Sequence, residues 1–173
     1  MPPSFMIDME RAMPSIKAIA VGLLLGSQLL YSAAAFSTTG TIILRDNENA
    51  ICSLPVPEPG NTKAYSFVNA PLQCERWNDR ARSIQLTNVP SATTIIMSES
   101  GDCGRYSSNS WLVMKTTKKQ TNSTIIAIEY LTTFQKNQII EPGLQMIDLQ
   151  IKNEFRDKVS CIHITTSATP PSP

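Results

Sequence analysis

Histidine and charge are both scarce in this chain. Of 173 residues only 17 % are Asp, Glu, Lys or Arg, against roughly 25 % in soluble domains. Ser, Thr, Asn and Gln carry the rest of the polarity, which sets the chain apart from disordered segments and coiled coils. Lys and Arg number 15 and Asp and Glu 14, a formal net charge of +1. Nucleic-acid binders show a clear basic excess, and this chain has none. A single histidine, His163, with no metal-ligand cluster around it in sequence, removes the basis for most enzyme classes. Two of the seven glycines, Gly22 and Gly26, fall in an N-terminal apolar run, and the rest form no phosphate-cradling loop. No G-x-S-x-G nucleophile elbow is present. The acidic residues are scattered singly, so Asp102, Glu129, Glu141 and Asp148 read as solvated charges rather than a glycosidase pair. The length allows one domain.

What is there begins with an address. Ala18 to Leu30 is apolar, follows Arg11 and Lys17, and leads into Tyr31-Ser32-Ala33-Ala34-Ala35. A basic region, an apolar core and small residues at the end describe a secretory signal peptide over residues 1–35, cleaved between Ala35 and Phe36. The alternative, a membrane anchor, is opposed by Gly26, Ser27 and Gln28, which cut the apolar run below the roughly 20 residues a span needs. Translation from Met13 gives a better basic region than from Met1 and changes nothing downstream. The expected location is therefore secreted or periplasmic, with no transmembrane segment in the mature chain. All four cysteines, Cys52, Cys74, Cys103 and Cys161, lie in the exported part. An even number there implies two disulfides. Sequence does not choose among the three possible pairings; the working guess joins Cys52 with Cys74 and Cys103 with Cys161. The cysteines are too widely spaced for a zinc knuckle.

Short runs rich in Ile, Val, Thr and aromatics predict strands over Thr41–Arg45, Ala64–Val68, Ser83–Asn88, Thr93–Ser98, Trp111–Thr116, Ser123–Leu131, Leu144–Ile151 and Val159–Thr165. Pro55, Pro57, Pro59 and Gly60 are read as a break after the first strand, and Glu141-Pro142-Gly143 as a second break. No long segment has helical periodicity. Many short strands with frequent turns imply an all-β sandwich or barrel over residues 36–166, with a frayed Pro/Ser/Thr tail over 167–173. The expected core is Ile42, Leu44, Ile84, Leu86, Ile95, Met97, Ile162 and Ile164, with Trp77 or Trp111 beside them.

The sequence also repeats. Thr41-Ile42-Ile43-Leu44-Arg45-Asp46 matches Thr94-Ile95-Ile96-Met97-Ser98-Glu99. Downstream, Asn78-Asp79-Arg80-Ala81-Arg82-Ser83-Ile84-Gln85-Leu86-Thr87 resembles Arg156-Asp157-Lys158-Val159-Ser160-Cys161-Ile162-His163-Ile164-Thr165. Two copies of a four-stranded antiparallel unit, the second lengthened by a connection over 132–143, are what a double Greek-key sandwich requires.

Asn78-Asp79-Arg80-Ala81-Arg82-Ser83 resembles the [ND]-[ND]-x-x-[ST]-S turn of βγ-crystallin domains everywhere except its fifth place, where Arg82 stands. The second copy keeps Asp157 and Ser160, with Arg156 and Cys161 at the outer places, and neither copy shows the family's aromatic-x-Gly element. The resemblance covers roughly residues 40–166 and implies a crystallin-like exported bacterial protein. It also implies calcium, with Asn78, Asp79, Asp157 and Ser160 as candidate ligands. Calcium takes six to eight hard oxygens, and a cation at Arg82 opposes one, so weak or absent calcium binding is expected and no other cofactor.

The expected function is that of a secreted, non-enzymatic binding protein with a protein or surface ligand, and the crystallin resemblance implies a protease inhibitor or a weak calcium binder as its role. An adhesive or toxin-associated surface-binding module is the first alternative and a secreted hydrolase the second. For an inhibitor, a Cys52–Cys74 bridge would stiffen the Pro-rich segment. The polar segments Cys52–Thr62 and Gly101–Ser110 are read as binding loops, and Lys115, Lys118 and Lys119 as a solvated basic tip. His163 shares a strand face with Cys161 and Thr165 and is read as structural. The Asn122-Ser123-Thr124 sequon matters only where exported proteins are glycosylated; the leader reads as bacterial, so the sequon is given no role.

Overall fold

The period-two alternation of apolar and polar residues becomes two sheets closed over one core. The structure, a computed structural model, describes residues 40–68 and 74–168. The expected leader, its Ala35–Phe36 cleavage site and the last five residues of the expected tail lie outside these. The strands are β1 (Thr41–Arg45), β2 (Ile51–Pro55), β3 (Thr62–Ser66), β4 (Ser83–Thr87), β5 (Val89–Pro90), β6 (Thr94–Ser98), β7 (Trp111–Thr116), β8 (Gln120–Thr121), β9 (Ile126–Ala127), β10 (Ile139–Glu141), β11 (Leu144–Gln150) and β12 (Cys161–Thr165). A short helix, α1 (Ile128–Leu131), follows β9. Among the described residues no helix is long and apolar enough to cross a membrane.

Strand order is β2-β1-β4-β9 in one sheet and β10-β11-β7-β6-β12-β3 in the other, with β5-β8 as a separate ribbon. All pairings are antiparallel. The two halves of the chain are wired alike. β1 and β2 form a hairpin, β3 crosses to the six-stranded sheet, and β4 returns beside β1. Likewise β6 and β7 form a hairpin, β9 crosses to the four-stranded sheet, and β12 returns beside β6. Registers match too: Ile42 faces Leu86 and Leu44 faces Ile84, as Ile95 faces Ile164 and Met97 faces Ile162.

These eight side chains are each at most 1 % exposed and share one cluster with Trp77, Phe155, Leu54, Leu112 and Met114. At roughly 25 cal/mol per Å² of apolar surface, such burial dominates the stability of the fold. Trp77 is in that cluster, whereas Trp111 is only partly buried. Cys52 of β2 bonds Cys74, and Cys103 bonds Cys161 at the start of β12, with Cα separations of 5.3 and 5.0 Å.

Three expectations need correction. Ile51–Pro55 is a strand, not part of a loop. Cys52, Leu54 and the following Val56 point inward, and an edge strand accepts proline because its outer N–H needs no partner. The loop there shrinks to Val56–Asn61. The run Ser123–Leu131 is not one strand: only Ile126–Ala127 pairs with β4. The chain then coils because Ile128 and Leu131, three apart, both reach the core. Thr132 and Thr133 hydroxyls close that turn on the carbonyls of Glu129 and Tyr130, each at 2.7 Å. Finally, β11 is not one of the repeated strands. It joins β10 in a hairpin inserted into the second half and extends the six-stranded sheet beyond β7.

Candidate functional site

The repeated turns Trp77–Ser83 and Phe155–Cys161 meet crosswise, and their contacts survive exchange of the two halves. The Asp79 N–H donates to the Val159 carbonyl at 3.3 Å, and the Asp157 N–H to the Ala81 carbonyl at 3.4 Å. Arg82 N–H bonds the Arg45 carbonyl and Ser160 N–H the Ser98 carbonyl, at 2.8 and 2.9 Å. The Arg82 carbonyl accepts from Ile128 and the Ser160 carbonyl from Phe67, at 2.9 and 2.8 Å. Both aspartates hold left-handed backbone, φ 57° each, a conformation that Asp tolerates better than most residues. Ala81 and Val159 are fully buried beneath them.

Side chains break this symmetry. The Ser160 hydroxyl approaches Asp79 Oδ1 at 3.4 Å. At the matching place the Arg82 guanidinium pairs with Asp157 Oδ1. Asn78 Nδ2 donates to Asp79 Oδ2 at 2.7 Å. Of the four candidate ligands, Asn78, Asp79 and Ser160 therefore come together, and Asp157 is held by Arg82. The difference extends outward. Asp46 accepts N–H bonds from Glu48 and Ala50 at 2.8 and 2.9 Å and is paired with Arg80. Burial raises the Asp46 pKa, yet these hydrogen bonds and the Arg80 charge outweigh it and hold the carboxyl below its usual range. Its counterpart Glu99 accepts the Ser110 N–H at 2.8 Å. Glu99 opens with Asp79, Asn109, Asn153, Lys158 and Ser160 onto a polar depression of about 370 Å³. Asp46 and Glu99 sit at matching ends of the repeated TIILRD and TIIMSE runs, which is the signal that sequence reasoning left unused.

For calcium the two pairings differ. The Asp157 side does not fit a divalent cation, because a fixed guanidinium fills the position. The Asp79 side presents carboxylate, amide and hydroxyl oxygens, and Lys158 lines the same depression. Among the described residues no three His, Cys, Asp or Glu side chains gather as a metal would require.

The remaining candidates lie apart. His163, half-buried on β12, is flanked by Ile96 of β6 and Ala64 of β3. Glu129 pairs with Arg156, Asp148 with Lys136, and Glu141 Oε2 accepts from the Thr124 hydroxyl at 3.0 Å. Lys115, Lys118 and Lys119 are exposed around the β7–β8 turn. In the 99–110 loop, Asp102 accepts from Ser100, Tyr106 and Gly104 at 2.6, 2.6 and 2.8 Å. Those bonds lower its pKa to about 2 and raise that of the Tyr106 phenol.

The Val56–Asn61 loop is sewn to the chain after β12. The Thr166 hydroxyl donates to the Glu58 carbonyl at 2.7 Å, Gly60 N–H bonds the Ser167 carbonyl at 3.1 Å, and Thr166 N–H bonds the Asn61 carbonyl at 3.0 Å. Glu58 and Pro59 remain exposed. No family model matches this chain, and no curated protein or solved structure matches it either.

Proposed function

We propose that this is an exported, non-enzymatic binding protein built as a crystallin-like pair of Greek keys, acting through a rigid loop as a protease inhibitor. The exchange of β3 and β9 between the sheets, repeated in both halves, supports the Greek-key reading. Two disulfides support export. The observation that carries the inhibitor is the Val56–Asn61 loop. Its main chain is tied to Thr166 and Ser167, while Glu58 and Pro59 stand exposed and Pro57 is half-buried. A loop fixed before binding loses little conformational entropy when a protease engages it, and its severed ends stay together. Cys52–Cys74 acts one step back, by fixing β2, which leads into the loop.

Progress curves against a panel of serine, cysteine, aspartic and metalloproteases test this. Inhibition of one class, abolished by Glu58→Ala together with Pro59→Ala and accompanied by an intact 56–61 segment, is the expected result. Absence of inhibition across the panel, or rapid cleavage within 56–61, refutes it. Surface recognition is favoured by a different observation, the 99–110 loop. Tyr106 is exposed there, Arg105 stacks on Trp111, and Cys103 anchors the loop. A glycan array and binding to whole cells test that alternative.

For calcium we propose at most a weak half-site at Asp79 and Ser160. Calcium-dependent melting in the wild-type chain measures it.

A further inference from the structure

Asn122-Ser123-Thr124 is the chain's single Asn-x-Ser/Thr sequence, and the fold presents it as a modification enzyme needs it. Asn122 follows β8 directly, in the turn leading to β9, and both Asn122 and Thr124 are exposed. The Asn122 side chain is oriented by one contact: its Oδ1 accepts the Asn88 N–H at 2.8 Å. That bond turns Nδ2 away from the backbone, and among the described residues Nδ2 makes no hydrogen bond. The middle residue faces inward instead, with the Ser123 hydroxyl accepting from Leu86 N–H at 2.7 Å. An N-linked sugar keeps the amide carbonyl, so the bond to Asn88 survives the modification. The three residues thus alternate acceptor out, anchor in, hydroxyl out, the exposed Thr124 hydroxyl donating to Glu141 Oε2 at 3.0 Å.

We propose that Asn122 is an acceptor for an N-linked glycan when the chain passes through a compartment holding an oligosaccharyltransferase. The co-reactant is a lipid diphosphate-linked oligosaccharide. Asn122 Nδ2 bonds to the anomeric carbon and the carbon–oxygen bond to the diphosphate breaks. The lipid diphosphate leaves with that electron pair, and the amide proton passes to a base of the transferase. Sequons act in surface loops of exported proteins, and this one meets that condition whatever organism the leader resembles.

The experiment expresses the full chain, leader included, in a secretory host that glycosylates a control acceptor. The exported protein is expected to carry one glycan, released by peptide N-glycosidase with conversion of the asparagine to aspartate. Asn122→Gln and Thr124→Ala are expected to abolish the added mass, and Thr124→Ser to retain it because the hydroxyl remains. Correct folding of each variant is read from both disulfides by peptide mapping. An exported, disulfide-bonded wild-type chain without added mass overturns the proposal, as does added mass that survives Asn122→Gln.

Discussion

Replacing Arg82 separates the wiring of the two turns from their side-chain chemistry. Arg82 and Asp157 side chains are 36 % and 31 % exposed, so their pair is neither fully solvated nor buried. At about 4 Å, unit charges interact by about 1 kcal/mol in water and about 4 kcal/mol at an effective dielectric of 20. Ordering two side chains and salt screening subtract from either figure. A coupling of about 1–2 kcal/mol follows, between the exposed-pair range and the about 3–5 kcal/mol lost when a buried pair is broken. Arg82→Ala should lower the melting midpoint by about 3–8 °C for a domain of this size. The assay is a double-mutant cycle of Arg82→Ala and Asp157→Ala, melted with disulfides intact at low and high salt. If the two losses add within about 0.3 kcal/mol, the pair contributes nothing and the reasoning fails. Arg82→Ser adds a second arm, because it restores at Asp157 the hydroxyl that Ser160 offers Asp79. Its midpoint should rise in millimolar calcium relative to EDTA, with wild type moving little or not at all.

Other perturbations test the core, the staples and the loops. Ile84→Ala removes a fully buried side chain of β4 and should cost about 2–5 kcal/mol in denaturant titration; a loss under about 0.5 kcal/mol would place that strand elsewhere. The disulfides close 22- and 58-residue separations, so chain entropy assigns them about 3 and about 4 kcal/mol. Removing the Cys103–Cys161 pair should therefore lower the midpoint more than removing Cys52–Cys74, and the reverse order would contradict the loop-closure account. Asp102 has its folded pKa depressed to about 2 from 3.8, so its stabilisation is complete above pH 4 and is lost as pH falls towards 2. Asp102→Asn should flatten the pH dependence of the midpoint over that window. Tyr106→Phe should flatten it in part, and an unchanged acid limb in both would disprove the linkage.

Much of this architecture was legible because burial imposes period two. Ile42 and Leu44, Ile84 and Leu86, Ile95 and Met97, Ile162 and Ile164 each alternate with polar residues, and each pair lines the core. β2 was obscured by Cys52 and Pro55, which carry no strand preference of their own; only its edge position makes them acceptable. Ser123–Leu131 reads as a strand because Ile125, Ile126 and Ile128 are β-branched, yet local preference yields where the core needs Ile128 and Leu131 on one side. The site was half legible. Asp79, Asp157 and Ser160 stand out in the repeated turn. Asp46 and Glu99 close the repeated TIILRD and TIIMSE runs, but their place beside the turns is decided only when segments remote in sequence are packed together.

By itself the sequence determined an all-β chain with a duplicated plan and an even set of cysteines, because alternation, repeats and composition are properties of neighbours. Tertiary structure alone decided which sheet takes β3 and β9, and that Arg82 faces Asp157 while Ser160 faces Asp79. It also decided that the Val56–Asn61 loop is held by Thr166 and Ser167. Those outcomes depend on long-range antiparallel register and on burial shared between distant segments, which no local pattern encodes.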